Sequence, residues 1–159
     1  MIRKRESTIV RRGDNVKERL KTGIYKKITP KTMEEIRKHK DLKVFKLSFE
    51  AGMEVFQLSK KFPKEETYSL KDQIRRSSRS VSGNIAEAWR KRIYTKSFVS
   101  KLNDSEGEAA ETQVWLDYAL ACKYIEKSEH EALYDKYEHI IAMLVNMQSN
   151  PEKWDLKRK

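Results

Sequence analysis

Between residues 98 and 119, Phe98, Leu102, Ser105, Ala109, Thr112, Leu116 and Ala119 alternate steps of four and three residues without a break. This rhythm keeps one narrow apolar or small-residue seam on the same side of an α-helix and fits neither a strand nor a loop. It returns at Leu133, Tyr137, Ile140, Leu144 and Met147, and at Leu70, Ile74, Ser77/Ser78, Val81, Ile85 and Ala88. An earlier stretch carries Phe45, Phe49, Gly52 and Phe56 at four, three and four, with Val55 and Leu58 beside them. Four helices that each bury one stripe are satisfied by packing on one another. The links between them are about five to eight residues, short enough to make neighbours antiparallel. The reading is therefore all-α, an antiparallel up-down-up-down four-helix bundle. Only five glycines and three prolines occur in 159 residues, too few for the turns of a sandwich or barrel.

The boundaries follow from caps and breakers. A first helix is expected from about Leu42 to Lys61, stopped by Phe62-Pro63. Ser69, with Asp72 three residues on, reads as the cap of the second. The third is expected from about Thr95 to Lys123. Ser128 with Glu131 has the capping-box pattern for the fourth, which Asn150-Pro151 ends. Three segments result: a basic N-terminal extension at 1–40, the bundle at 41–150 and a basic C-terminal tail at 151–159. Short helices within the extension are compatible with Val16, Leu20 and Ile24, and with Thr32-Met33-Glu34-Glu35 after Pro30.

Charge is distributed unevenly. The first forty residues hold 14 basic and five acidic side chains, carrying +9 of the net +11, whereas the rest holds 21 and 19. A basic arm that includes Arg3, Lys4, Arg5, Arg11 and Arg12 suits a polyanion, because neutralising phosphates releases counterions. Within the bundle, Lys71, Arg75, Arg76, Arg79 and Arg90 fall on one side of the second helix, away from its Ile74-Val81-Ile85 seam. Lys91, Arg92 and Lys96 continue the stripe past the helix end. These are the candidate nucleic-acid contacts, since guanidinium forks pair with phosphate oxygens in bidentate fashion. A solvated face offset by glutamates of a neighbouring helix is the plain alternative. Trp89, Trp115 and Tyr118 beside the seams are candidate oligomer contacts, as large aromatics concentrate in interfaces.

Asn84, Glu87, Glu108 and Glu111 border the seams and read as a polar network that fixes helix register. A di-metal carboxylate site is the competing chemistry, but it needs Glu-x-x-His pairs. None of His39, His130 and His139 has a glutamate three residues before it. Phosphate-cradling loops, nucleophile elbows and zinc-finger spacing do not occur, and the hydroxyls of Ser77, Ser78, Ser80 and Ser82 have no adjacent base. The expectation is a non-enzyme without cofactor or metal. Cys122 is the only cysteine, and no apolar run approaches the roughly 20 residues of a membrane span, which points to the cytoplasm.

Four short motifs carry a resemblance: Asp41-Leu42-Lys43-Val44-Phe45, Asp72-Gln73-Ile74-Arg75-Arg76-Ser77-Ser78, Gly83-Asn84-Ile85-Ala86-Glu87-Ala88 and Ala110-Glu111-Thr112-Gln113. In this order, across about residues 41–147, they resemble the four-helix-bundle proteins encoded in intervening sequences of 23S rRNA genes. The resemblance implies a homo-oligomer, with a pentamer favoured, that binds RNA or DNA with low sequence selectivity. Related accessory proteins of diversity-generating retroelements imply a reverse transcriptase or another nucleic-acid enzyme as partner. Family members often have Pro before the Asn-Ile-Ala-Glu stretch and Gly after it, where this chain has Ser82-Gly83 and Ala88. The substitutions favour a straighter, longer helix. The competing functional reading is a protein–protein adaptor whose basic arm docks on a partner without touching nucleic acid.

Overall fold

Each apolar rhythm becomes one helix in the computed structural model of the chain, which describes residues 36–156. The helices are α1 (Lys43–Leu58), α2 (Leu70–Lys91), α3 (Thr95–Ala121) and α4 (Lys127–Ser149). Short 3-10 turns at His39–Asp41, Ser59–Lys61, Lys64–Glu66 and Pro151–Lys153 flank them, and no strand forms among the described residues. Each helix packs on its neighbours in sequence, α1 packs on α4, and the diagonal pairs hardly touch.

Cross-helix bonds fix the direction of every pair. Between α2 and α3, Thr112 Oγ1 donates to Ser77 Oγ at 2.9 Å and Ser105 Oγ to the Val81 carbonyl at 2.8 Å. Rising numbers on one helix therefore meet falling numbers on the other. Gln113 bonds to Glu138 and Gln148 to Glu106 between α3 and α4, and Lys61 meets Glu129 while Lys136 meets Glu50 and Glu54 between α1 and α4. Between α1 and α2, Arg75 Nε donates at 2.7 Å to Ser59 Oγ, just past the end of α1, while Gly52 lies against the Ser78 carbonyl. All four contacts are antiparallel, the expected up-down-up-down bundle.

The seams of α2, α3 and α4 are buried as their spacing predicts, with Ile74, Val81, Ile85, Leu102, Leu116, Ile140 and Leu144 fully inaccessible. Burying such side chains contributes about 1.5–3 kcal/mol each. Tyr137 is the largest fully buried side chain. Its hydroxyl faces Thr112 and Ser78 without an aligned hydrogen bond to either, and burial raises its pKa.

Helix α1 departs from the expectation. Its buried stripe is Val44, Ser48, Ala51, Val55 and Leu58, while Phe45 and Phe56 are half-buried and Phe49 is 57% exposed. The core of this helix is thus rotated away from the aromatic stripe. Gly52, a member of the aromatic stripe, lies against α2, where a Cβ would sit 3.5 Å from the Ser78 carbonyl, so that stripe follows the edge of the α1–α2 contact while Val44, Ser48, Ala51 and Val55 are buried.

The caps also differ. Ser69 precedes α2 but makes no capping bond. Its hydroxyl donates to Glu66, and the carboxylate of Glu66 accepts the Leu70 N–H at 3.1 Å. Helix α4 starts two residues earlier than expected, on a capping box between Glu126 and Glu129. Helix α3 ends at Ala121, where Lys123 takes φ 60°. The Tyr124 N–H reaches the Ala119 carbonyl and the Lys123 N–H the Leu120 carbonyl, each at 2.9 Å. That is the pairing of a Schellman stop, with lysine where glycine is usual.

Candidate nucleic-acid interface

The exposed side of α2 is built by its seam. Because Ile74, Ser77, Ser78, Val81 and Ile85 turn inward, Arg75, Arg79 and Arg90 project from one outward arc, with Lys71 and Arg76 at its edges. Arg75 is half-buried, bonded to Ser59, with its guanidinium 4.8 Å from the centre of the Phe56 ring; Arg79 lies 5.9 Å from the same ring. Lys60 approaches that ring at 4.8 Å. Lys71 donates to the Phe62 carbonyl at 3.2 Å. Arg76, Arg79, Arg90 and Lys96 are exposed, and among the described residues none of them, nor Arg75, forms a salt bridge. An aromatic face and a hydroxyl hold a guanidinium in place without neutralising it.

The rest of the predicted stripe is committed elsewhere. Lys91 pairs with Glu87 at 2.6 Å. Arg92 folds back over Trp89, 3.8 Å above its ring, and donates to the Trp89 carbonyl. Burial, and then the neighbouring Arg90, lower the Arg92 pKa. Trp89 itself is 6% exposed, with Trp154 edge-on at 6.4 Å, so it belongs to the core of this chain and presents no face for a second copy. Its burial under a residue from beyond α4 corrects the interface role expected for it. Trp115 is half-buried and Tyr118 56% exposed; their rings lie 5.9 Å apart, and both line a groove with Leu70, Gln73 and Cys122. Arg3, Lys4, Arg5, Arg11 and Arg12 lie outside the described residues, as do Val16, Leu20, Ile24 and Thr32-Met33-Glu34-Glu35.

The polar residues gather on the opposite flank of α2, along α3. Glu87 accepts from Lys91 and, across the helix pair, from Lys101 at 3.1 Å; Lys101 also meets Asp104 at 3.1 Å. These partners lower the Glu87 pKa and raise that of Lys101. Asn84, Glu108 and Glu111 line the same groove. Burial, then Glu111, raise the Glu108 pKa against the pull of Arg76, and Glu111 accepts the Trp115 indole N–H at 3.0 Å. Lys101 is the cation that ties this flank together, a residue the sequence pattern did not single out. No group of three or more His, Cys, Asp or Glu side chains is placed to hold a metal ion among the described residues.

With this geometry in place, comparison with known proteins is direct. The model of the 23S rRNA-intervening sequence protein family matches residues 40–146. The chain belongs to this family. The match opens in the His39–Asp41 turn and closes near the end of α4, so the 23S rRNA-intervening sequence protein unit and the bundle coincide. A crystal structure of a protein of unknown function from the S23 ribosomal protein family of Bacteroides thetaiotaomicron VPI-5482 is 28% identical. The alignment covers 67% of this chain and 95% of that one, with a TM-score of 0.61. No curated protein matches the chain.

Seen in the structure, the motifs of this 23S rRNA-intervening sequence protein are largely core. Ile74, Ser77, Ser78, Ile85, Ala88, Thr112 and Gln113 are buried, and α2 runs unbroken through residues 82–88. They specify helix packing. The cations that set the surface are interleaved with them, at Arg75 and Arg76, or lie outside them, at Arg79, Arg90 and Lys60. Among the described residues no helix is long and apolar enough to cross a membrane.

Proposed function

We propose that this family member is a non-enzymatic, homo-oligomeric scaffold of the cytoplasm that binds RNA or DNA with low sequence selectivity and needs no cofactor. The observation that carries the reading is the outward arc of α2, where Arg75 and Arg79 are positioned by Phe56 and Ser59 while Arg76 and Arg90 stand exposed beside them. Uncompensated guanidinium groups along a helix follow a phosphate backbone by charge and bidentate bonding, which ignores base sequence. The basic extension at 1–40 adds +9 to the same polyanion affinity. Accessible Trp115 and Tyr118 favour contact between copies, and the family resemblance favours five of them. A reverse transcriptase or another nucleic-acid enzyme is the partner such a scaffold would serve.

The native mass of the purified full chain, measured before and after nuclease treatment, tests assembly and ligand together. A particle of several chains that carries nucleic acid, loses it to nuclease and stays assembled is the expected result. A monomer free of nucleic acid would contradict both parts. Tight binding to a partner protein that survives nuclease and deletion of residues 1–40 would instead favour the adaptor reading.

A further inference from the structure

The aromatic stripe displaced from the α1 core lies on the flank of α1 that meets α2. Phe45 and Phe49 stack at 6.3 Å with their planes 22° apart, Phe49 is 57% exposed, and Phe56 sits about two turns beyond Phe49 with Arg75, Arg79 and Lys60 around its ring. We infer that this face is a platform for single-stranded nucleic acid, on which unpaired bases stack against Phe49 while Arg75, Arg79 and Lys60 hold the neighbouring phosphates. The inference rests on the nucleic-acid reading above and narrows it to strands with unpaired bases.

Three features support the assignment. An exposed phenylalanine offers a flat surface to any base, and base–aromatic stacking is tolerant of sequence. In a duplex the base faces are already stacked on each other, so this ring has nothing to add there and only the phosphate contacts remain. Spacing is suitable as well: seven residues of helix separate Phe49 from Phe56, roughly 10 Å at 1.5 Å per residue. That is about three nucleotides at their stacked rise of 3.4 Å. The cations are on the same flank and without salt bridges among the described residues, which distinguishes the platform from a purely apolar contact with a second copy.

The test compares a short oligouridylate with an RNA duplex of the same length, at fixed salt, for the full chain and for Phe49→Ala, Phe49→Trp and Arg79→Glu. Loss of one stacked base predicts that Phe49→Ala binds the single strand about tenfold more weakly and the duplex unchanged. Phe49→Trp retains the preference, and Arg79→Glu weakens both ligands. An oligouridylate carrying 5-iodouridine is expected to photocross-link to Phe49 or Phe45. Because Phe49 is mostly exposed, its alanine variant should keep the melting temperature. Equal losses on both ligands, no loss on either, or cross-links only elsewhere would overturn the platform and leave the electrostatic reading standing. A fall in native mass for Phe49→Ala without cross-linking would assign the face to contact between copies, and overturn it too. If the unmodified chain binds neither ligand, the underlying nucleic-acid reading fails first.

Discussion

Neutralising Arg76, Arg79 and Arg90 together with glutamine will lower the affinity of the chain for RNA by about 500-fold near 0.1 M salt. These three side chains are exposed on the outer side of α2 and form no salt bridge among the described residues; Arg76 alone feels an acidic neighbour, Glu108, at longer range. Each phosphate contact on duplex nucleic acid releases about 0.9 of a counterion, worth about eightfold at 0.1 M, and three such contacts multiply. The same variant should show a log–log salt slope shallower by about 2 to 3. Glutamine keeps helix propensity, so the melting temperature should hardly move. Filter binding or anisotropy with a structured RNA reads the affinity. An unchanged affinity would mean that the arm at residues 1–40 carries the binding by itself.

Replacing Leu102 with alanine will cost about 2–5 kcal/mol of stability, a large part of the roughly 5–15 kcal/mol that holds a domain of this size. Leu102 is fully inaccessible in the α3 seam, next to Ser105, whose hydroxyl bonds the Val81 carbonyl. Deleting its side chain leaves a cavity between helices fixed by cross-helix bonds on either side, so little collapse can fill it. Denaturant unfolding followed by circular dichroism measures the loss. A cost below about 1 kcal/mol would contradict the packing of the α2–α3 pair, because only a side chain outside the core is that replaceable.

These expectations draw on parts of the fold that were unequally legible in the sequence. The seams of α2, α3 and α4 could be read because a single four-three rhythm runs through each, with bulky residues and small ones alternating to suit the neighbour. In α1 two stripes share that spacing, Phe45-Phe49-Gly52-Phe56 and Val44-Ser48-Ala51-Val55, and spacing cannot choose between them. Size pointed to the phenylalanines. Packing of α1 on both α2 and α4 buried the other stripe, and that is a property of the assembled bundle.

The surface shows the same division. That α2 carries an outward arc of arginines follows from its seam, yet which cations stay unpaired depends on contacts between distant residues. Lys91 is taken by Glu87, and Arg92 by Trp89. Trp89 is buried because Trp154, beyond the Pro151 turn, folds onto it, a contact separated by two whole helices in sequence. Glu66 was invisible as a cap because it lies in the preceding turn. There it accepts the Ser69 hydroxyl and the Leu70 N–H, which lower its pKa, and it bonds the Tyr124 phenol, pushing that group up to about 12.

The central claim is that the exposed arginines of α2, free of salt bridges among the described residues, and the basic arm grip a phosphate backbone. Its most direct test is the affinity of the unmodified full chain for a structured RNA, titrated from about 50 to about 300 mM salt. A log–log slope of about −3 or steeper is the predicted result, and a flat response would contradict the account.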